Sequence, residues 1–224
     1  MRQFLFFLVV LTIALMPLQA ASFNASNLLT QAYADQLQAW LGEGPIILTR
    51  IFSKVTGDGL TATNFHASAD NKGRTITLMK VSNYSNQIIG GYNANSWDTT
   101  TGWRFASNTS EFLFNLTNTT KFQKNNTNWT HTTYNNIDRG PSFGPGHDLY
   151  VDATLQSGYV YGNYSYGTGN GSATNPLLSG YSTGAGTTYS GLEVFTITNG
   201  VIPEPCSILL MGFSLVMIRF FLKK

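Results

Sequence analysis

The stretch TITLMKV, Thr75–Val81, is rich in β-branched residues and predicts a β-strand. Similar short runs lie on both sides of it, at Ile46–Phe52, Gln87–Tyr92, Phe112–Leu116, Tyr159–Tyr166 and Leu192–Thr198. Turn-forming residues such as Thr56–Gly59 and Asp70–Gly73 separate the runs. Several strands at this spacing predict a mainly β domain, a sandwich with a few helices in the α+β class.

A helix is expected before the first of these strands, over Ser26–Leu41. Apolar residues recur there on one face of a helical period. Ser26 is expected to cap its start, and Gly42, Gly44 and Pro45 to end it. The apolar face is expected to pack on a sheet. The polar stretch Thr117–Asn136 is expected to form a solvent-facing hairpin or a long loop.

The composition is that of a solvated β-protein. Of 224 residues only 11% are charged, against about 25% in an average domain. The net charge is +2, and the cations are scattered, so nothing predicts a nucleic-acid partner. The single cysteine, Cys206, lies near the C-terminus, which excludes disulfides and thiolate zinc sites from the domain.

The N-terminal residues 1–21 are typical of a signal peptide. Arg2 precedes the apolar run Phe4–Leu15, which is too short to span a bilayer. Cleavage is expected near Ala20 or Ala21. The alternative is an uncleaved N-terminal anchor.

The C-terminal residues 201–224 combine a proline-rich motif, an apolar helix and a basic end. The parts are Pro203, Glu204 and Pro205, then Ile208–Ile218, then Arg219, Lys223 and Lys224. Their order is similar to the PEP-CTERM sorting signal of Gram-negative bacteria. The resemblance implies transient membrane anchoring through this helix, processing by an exosortase-type enzyme, and delivery to the outer surface or extracellular matrix. The alternative is a plain C-terminal anchor.

Between these ends, at residues 22–200, a series of motifs resembles the TLDc domain, best known from eukaryotic oxidation-resistance proteins. The motifs are Leu48–Phe52, Asp58-Gly59, Asn64-Phe65-His66, Asp70–Thr75, Ile89–Tyr92, Ser96-Trp97, Phe112–Leu116, Gly140–Leu149 and Leu192–Phe195. The match runs from about Trp40 to Ile197. It implies a sandwich of two antiparallel sheets with flanking helices, to which the two terminal hydrophobic helices are added. Ala69 departs from the family, in which a cysteine is common at this place.

Glycines within these motifs predict two local features. Gly140–Gly146 holds three glycines and two prolines, which favours a tight irregular turn. That turn is expected to set Phe143 inward and Leu149 at the start of a strand. The pair Gly90-Gly91 predicts a bulge or a close approach of the backbone.

The candidate catalytic residues are His66, His147, Asp148 and Glu193, with Asp70 beside His66. These side chains are suited to acid–base or metal chemistry if they converge. Structural roles are favoured, because such groups beside turns commonly satisfy backbone atoms. No motif for a nucleophile, a phosphate loop, a cofactor or a metal ion is present.

The expected function is non-enzymatic binding or a structural role in an exported, surface- or matrix-sorted protein. Aromatic side chains beside amides and hydroxyls suit sugars, so exopolysaccharide is the expected partner. The TLDc resemblance implies no agreed reaction. Its eukaryotic members act through protein contacts, some with the proton-pumping vacuolar ATPase, a cytosolic partner that a surface-sorted chain does not meet. The alternatives are an extracytoplasmic hydrolase or oxidative-stress enzyme using the His/Asp/Glu residues, and a passive matrix component.

Overall fold

The structure is a computed structural model that describes residues 19–105, 110–125, 130–161, 164–167, 174–175, 177–179, 181–182 and 185–200. The expected hydrophobic helices at the two ends lie outside these ranges, and of the predicted signal peptide only residues 19–21 are described. Among the described residues, no helix is both long enough and apolar enough to cross a bilayer.

Strands dominate the described part of the chain, which also holds two helices. The helices are α1 (Gln31–Leu41) and α2 (Ala62–Ala69). The strands are β1 (Ser22–Phe23), β2 (Ile46–Ser53), β3 (Thr75–Val81), β4 (Gln87–Asn93), β5 (Gly102–Phe105), β6 (Phe112–Asn115), β7 (Thr120–Gln123), β8 (His131–Asn135), β9 (Tyr150–Val151), β10 (Ser157–Val160), β11 (Thr174–Asn175), β12 (Tyr181–Ser182) and β13 (Ala185–Asn199).

The main sheet has the strand order β1-β2-β13-β3-β4-β6-β7. Its neighbours are antiparallel except β1 and β2, which are parallel. The first part of β13 also pairs with β10, and β10 pairs with β9. Strands β5 and β8 form a separate antiparallel pair. The architecture is therefore mainly β with few helices, consistent with the predicted sandwich.

The main sheet is buried on both faces, and β3 shows why. Ile76 and Leu78 belong to the core shared with α1, whereas Met79 and Val81 belong to the opposite core. Because side chains alternate along a strand, one run of apolar residues supplies both cores. The first core confirms that α1 packs on a sheet.

The glycine predictions are confirmed. A Cβ on Gly90 would lie 1.9 Å from the carbonyl oxygen of Thr77, so this position admits only glycine. A Cβ on Gly91 would lie 2.6 Å from the ring of Phe143. Phe143 is buried, as expected, and Leu149 directly precedes β9.

The predicted start of the first helix is wrong. The helix begins at Gln31, where the hydroxyl of Thr30 accepts a hydrogen bond from the backbone N–H of Tyr33. Ser26 instead donates to a buried carboxylate, that of Glu193. The end is as predicted, because Gly42 adopts a left-handed conformation with φ of 70°.

Three further features differ from the sequence expectation. Helix α2 lies where only a motif, Asn64-Phe65-His66, was recognised. The polar stretch Thr117–Asn136 contains β7 and β8, which belong to different sheets rather than to one hairpin. Strand β6 is buried at every position, not at every second one.

Candidate functional site

A continuous row of aromatic side chains, here called the aromatic strip, comes from β5, β8, β9, β10 and the loops beside them. Phe105 and Tyr161 are the most open of these rings, at 62% and 41% exposed. The other rings are half-buried. The strip consists of Trp103, Phe105, His131, Tyr134, His147, Tyr150, Tyr159, Tyr161 and Tyr164.

The strand register of the domain places these rings next to one another. Tyr150 and Tyr159 are cross-strand neighbours of β9 and β10, and their ring centres lie 4.9 Å apart. His147 lies between Trp103 and Tyr150, with ring-centre distances of 5.3 Å and 5.1 Å. Tyr161 extends the row, 6.3 Å from Tyr159. These separations are typical of favourable aromatic contacts.

Arg139 places a positive charge in the middle of the strip. Its guanidinium lies over the rings of Tyr134 and Tyr150, at 5.0 Å and 5.2 Å from their centres. At these distances the guanidinium makes cation–π contacts with both rings. Within the described part of the chain, no carboxylate forms an ion pair with Arg139. The strip therefore carries an uncompensated cation.

The contact between Arg139 and His147 fixes the state of the imidazole. Nη1 of Arg139 lies 2.7 Å from Nε2 of His147. Because a guanidinium only donates, Nε2 must accept and the ring is neutral, with its hydrogen on Nδ1. Burial, together with the charge of Arg139, lowers the pKa of His147 to about 4. At neutral pH the imidazole is thus an uncharged member of the strip.

Asp148 follows His147 but points into the protein and ties two loops together. It is 1% exposed and accepts hydrogen bonds from the backbone N–H groups of Tyr164 and Ser165, at 2.6 Å and 2.9 Å. Burial raises the pKa of Asp148 to about 8, although these hydrogen bonds favour the carboxylate. The loop that carries His147 is thereby fixed to the loop that carries Tyr164.

The sequence model of the TLDc domain matches residues 22–198, which is most of the chain. The chain belongs to the TLDc domain family. No curated protein matches it. The aromatic strip and, apart from Ala21, both hydrophobic cores of this TLDc domain lie within the matched residues.

His66, on α2 of the TLDc domain, contacts the main chain of the turn that carries Arg139. Its Nδ1 lies 2.7 Å from an oxygen of Asp70. Its Nε2 lies 2.8 Å from the carbonyl oxygen of Asn136 and 3.1 Å from that of Arg139. His66 is therefore a positioning residue, because it holds the turn from which Arg139 reaches the strip.

Glu193 lies in the TLDc domain beneath the N-terminal segment, and is 0% exposed. Its carboxylate accepts from the backbone N–H groups of Asn27 and Leu28 at 3.0 Å and 3.3 Å. It also pairs with Arg50 at 3.2 Å. These contacts fasten residues 26–28 to β13, which is a structural task.

A buried polar cluster that sequence reasoning missed surrounds Asp148 in the TLDc domain. Glu111 accepts hydrogen bonds from Asn95 and from the backbone of Ala94, and burial raises its pKa to about 7. Lys124 is buried as well, which lowers its pKa, and Asp148 and Glu111 both act on it electrostatically. No sequence signal marks Glu111 or Lys124, because both stand in an Asn- and Thr-rich region.

The four predicted candidates of the TLDc domain make separate contacts. Among the described residues, no hydrogen bond joins any two of His66, His147, Asp148 and Glu193. The same part of the chain contains no group of three His, Cys, Asp or Glu side chains arranged for a metal ion. His66 and His147 meet indirectly, through the main chain and the side chain of Arg139.

Proposed function

We propose that this TLDc domain is exported and sorted to the cell surface or matrix, where its aromatic strip binds an anionic exopolysaccharide without catalysis. The observation that carries the proposal is a row of accessible rings around Arg139, a cation without a carboxylate partner in the described residues.

The chemistry of the strip matches a sugar polymer that carries carboxylates. Sugar rings present C–H faces that lie flat on aromatic rings, while tyrosine hydroxyls contact sugar hydroxyls. The guanidinium of Arg139 offers a planar set of donors that fits a carboxylate. A row of rings such as Tyr150, Tyr159 and Tyr161 contacts several successive sugars, which suits an extended chain better than a small molecule.

Export and sorting are supported by the two ends of the sequence. Residues 1–21 have the order of a signal peptide, and residues 201–224 have the order of a PEP-CTERM tail with Pro203, Glu204 and Pro205. An exosortase-type enzyme and the membrane are thus the proposed processing partners. Residues 22–200 contain no cysteine, so the domain folds outside the cell without disulfides.

Binding is favoured over an extracytoplasmic enzyme by the state of the candidate catalytic groups. Asp148 and Glu193 are buried and use their oxygens to accept from backbone N–H groups. His147 accepts from Arg139 through Nε2 and has a low pKa, so it is a weak general base with its acceptor nitrogen already occupied. A passive structural role predicts no saturable binding, so one titration separates it from the proposal.

The test is a titration of the purified exported protein with the host's own exopolysaccharide, a polyuronate and a neutral glucan. The double variant Phe105→Ala/Tyr161→Ala removes the two most exposed rings, and we expect about tenfold weaker binding of the anionic polymers. The matched control is Val55→Ala/Leu60→Ala, which removes exposed apolar side chains elsewhere. Absence of saturable binding to the host polymer, or an equal loss in the control, would contradict the proposal.

A further inference from the structure

We infer that removal of the leader breaks the Ala20–Ala21 peptide bond, and that the new amino group of Ala21 forms an ion pair with Asp35. The inference rests on the proposed export but not on the proposed ligand. Hydrolysis adds one water molecule, so that Ala20 leaves with a carboxylate and the nitrogen of Ala21 becomes an ammonium group at neutral pH. The sequence had left the cleavage point open between Ala20 and Ala21.

The backbone nitrogen of Ala21 already faces a carboxylate. It donates to Oδ1 of Asp35 at 2.9 Å, and Ala21 is 3% exposed. Asp35 is the only charged residue of α1, and no cation pairs with it among the described residues of the uncleaved chain. Conversion of an amide N–H into an ammonium group would supply the missing counter-charge at the same atom.

The residues from Ala21 onward are attached to the domain, whereas the two before it are exposed. Gln31 donates to the carbonyl oxygen of Ala21 at 2.8 Å, and β1 begins at Ser22, in parallel register with β2. Cleavage one residue later would delete the group that Asp35 and Gln31 hold. Among the described residues, cleavage after Ala20 removes the 2.7 Å hydrogen bond from Gln38 to the carbonyl oxygen of Gln19, and the new ion pair offsets this loss.

Other charged groups near this segment have partners of their own. On the elements packed against it, Arg50 of β2 pairs with Glu193 of β13, and Glu43 after α1 pairs with Arg74. Asp35 is therefore the carboxylate available to the new amino group.

The first test is N-terminal sequencing and intact mass of the protein exported from its complete gene. A mature chain that begins at Ala21 supports the inference, and one that begins at Ser22 or later overturns it. A chain that begins at Met1 contradicts the proposed export instead, so the two failures are distinguishable.

The second test measures acylation of the mature amino group by an amine-selective reagent near neutral pH. The ion pair protects the amine, so Asp35→Asn should accelerate labelling of Ala21 about tenfold. The isosteric amide keeps an oxygen acceptor for Gln31, and Asp138→Asn, in an exposed loop, is the matched control. Equal labelling rates in Asp35→Asn and the unaltered protein would refute the ion pair.

Discussion

Nε2 of His66 lies 3.1 Å from the carbonyl oxygen of Arg139, and this contact joins the helix α2 to the centre of the aromatic strip. The same ring nitrogen lies 2.8 Å from the carbonyl oxygen of Asn136. One buried side chain thus fixes both ends of the turn that aims Arg139.

Replacement of His66 by alanine should therefore affect both stability and binding. His66→Ala removes the donor to the carbonyl oxygen of Arg139 and one of the two donors to that of Asn136, which still accepts from the backbone N–H of Arg139 at 3.0 Å. We therefore expect the free energy of unfolding to fall by about 1–2 kcal/mol. Anionic polymer should bind more weakly as well, because Arg139 is no longer positioned. Urea unfolding and titration measure the two effects. Thr63→Ala, at an exposed site on α2, is the control and should change neither.

Replacement of Arg139 by glutamine should separate charge from stacking. We expect Arg139→Gln to weaken binding of a polyuronate about tenfold and to reduce its salt dependence, because the contact is electrostatic. Binding of a neutral glucan should change little, since the rings remain. A similar loss for both polymers would mean that Arg139 only holds the rings in place.

The same variant should shift the titration of His147. Burial and the charge of Arg139 together lower the pKa of His147 to about 4. Loss of the charge removes the second cause only, so the pKa should rise but stay below its ordinary value of about 6.5. Histidine NMR signals followed across pH report this shift, and an unchanged midpoint would contradict the electrostatic role of Arg139.

The sequence predicts strands correctly where a run of β-branched and apolar residues is enough to favour a strand. Thr75–Val81 coincides with β3, and Ile46–Phe52 differs from β2 by one residue, because β-branched and apolar residues fill both. Helix α2 was missed because its eight residues, ATNFHASA, bury Phe65 and His66 without a long apolar period. Its N-cap, Thr61, accepts a hydrogen bond from the backbone N–H of Asn64, and threonine at this place is a helix-start signal that the sequence does carry.

The strip was only half predictable. The abundance of tyrosine predicts sugar binding, but the ring neighbours of His147 come from four separate strands, and no local pattern in the sequence shows that these strands converge. Glu193 looked like a candidate acid because the sequence does not show that Ser26–Leu28 folds back onto it. Both the surroundings of His147 and those of Glu193 are set by contacts between residues far apart in sequence.

The free energy of unfolding should decrease as pH rises from about 4 to about 8, because Asp148 and Glu111 are buried acids. The pKa of Asp148 is raised to about 8 in the folded protein, and that of Glu111 to about 7. When the pKa of an acid is higher in the folded state, its contribution to stability is complete below its unfolded-state pKa. That contribution is lost as pH rises through its folded-state pKa. We expect a decrease of roughly 2–4 kcal/mol from pH 5 to pH 8, measured by urea unfolding. Asp148→Asn, which cannot ionise, should make the profile less steep and leave the part due to Glu111, and an equally steep profile in that variant would contradict the assignment.

Substitutions of Glu193 and Glu43 should show how much more a buried ion pair contributes to stability than a partly exposed one. Glu193→Gln weakens several contacts of a fully buried carboxylate and leaves Arg50 without its partner, so we expect a loss of about 3 kcal/mol. Glu43→Gln removes a partly exposed pair with Arg74 and should cost less than about 1 kcal/mol. Chemical denaturation of both variants measures the difference, and equal losses would show that Glu193 does not anchor the N-terminal segment.

Alanine substitutions at Gly73 and Gly144 should distinguish the cost of backbone strain from the cost of steric crowding near the aromatic strip. Gly73 and Gly144 have nearly equal φ angles, +76° and +74°, so alanine is strained at both and should cost about 1 kcal/mol for that reason. A Cβ at Gly73 meets nothing within 4 Å, whereas one at Gly144 would lie 1.9 Å from Oδ2 of Asp148. Gly144→Ala must therefore push the carboxylate away from the N–H groups of Tyr164 and Ser165, and we expect a total loss of about 3 kcal/mol or more. Both variants carry the same cost of placing alanine at a positive φ angle. The difference between their urea midpoints therefore measures the contribution of the hydrogen bonds of Asp148 to the two loops. Equal midpoints would mean that displacing the Asp148 side chain does not lower stability.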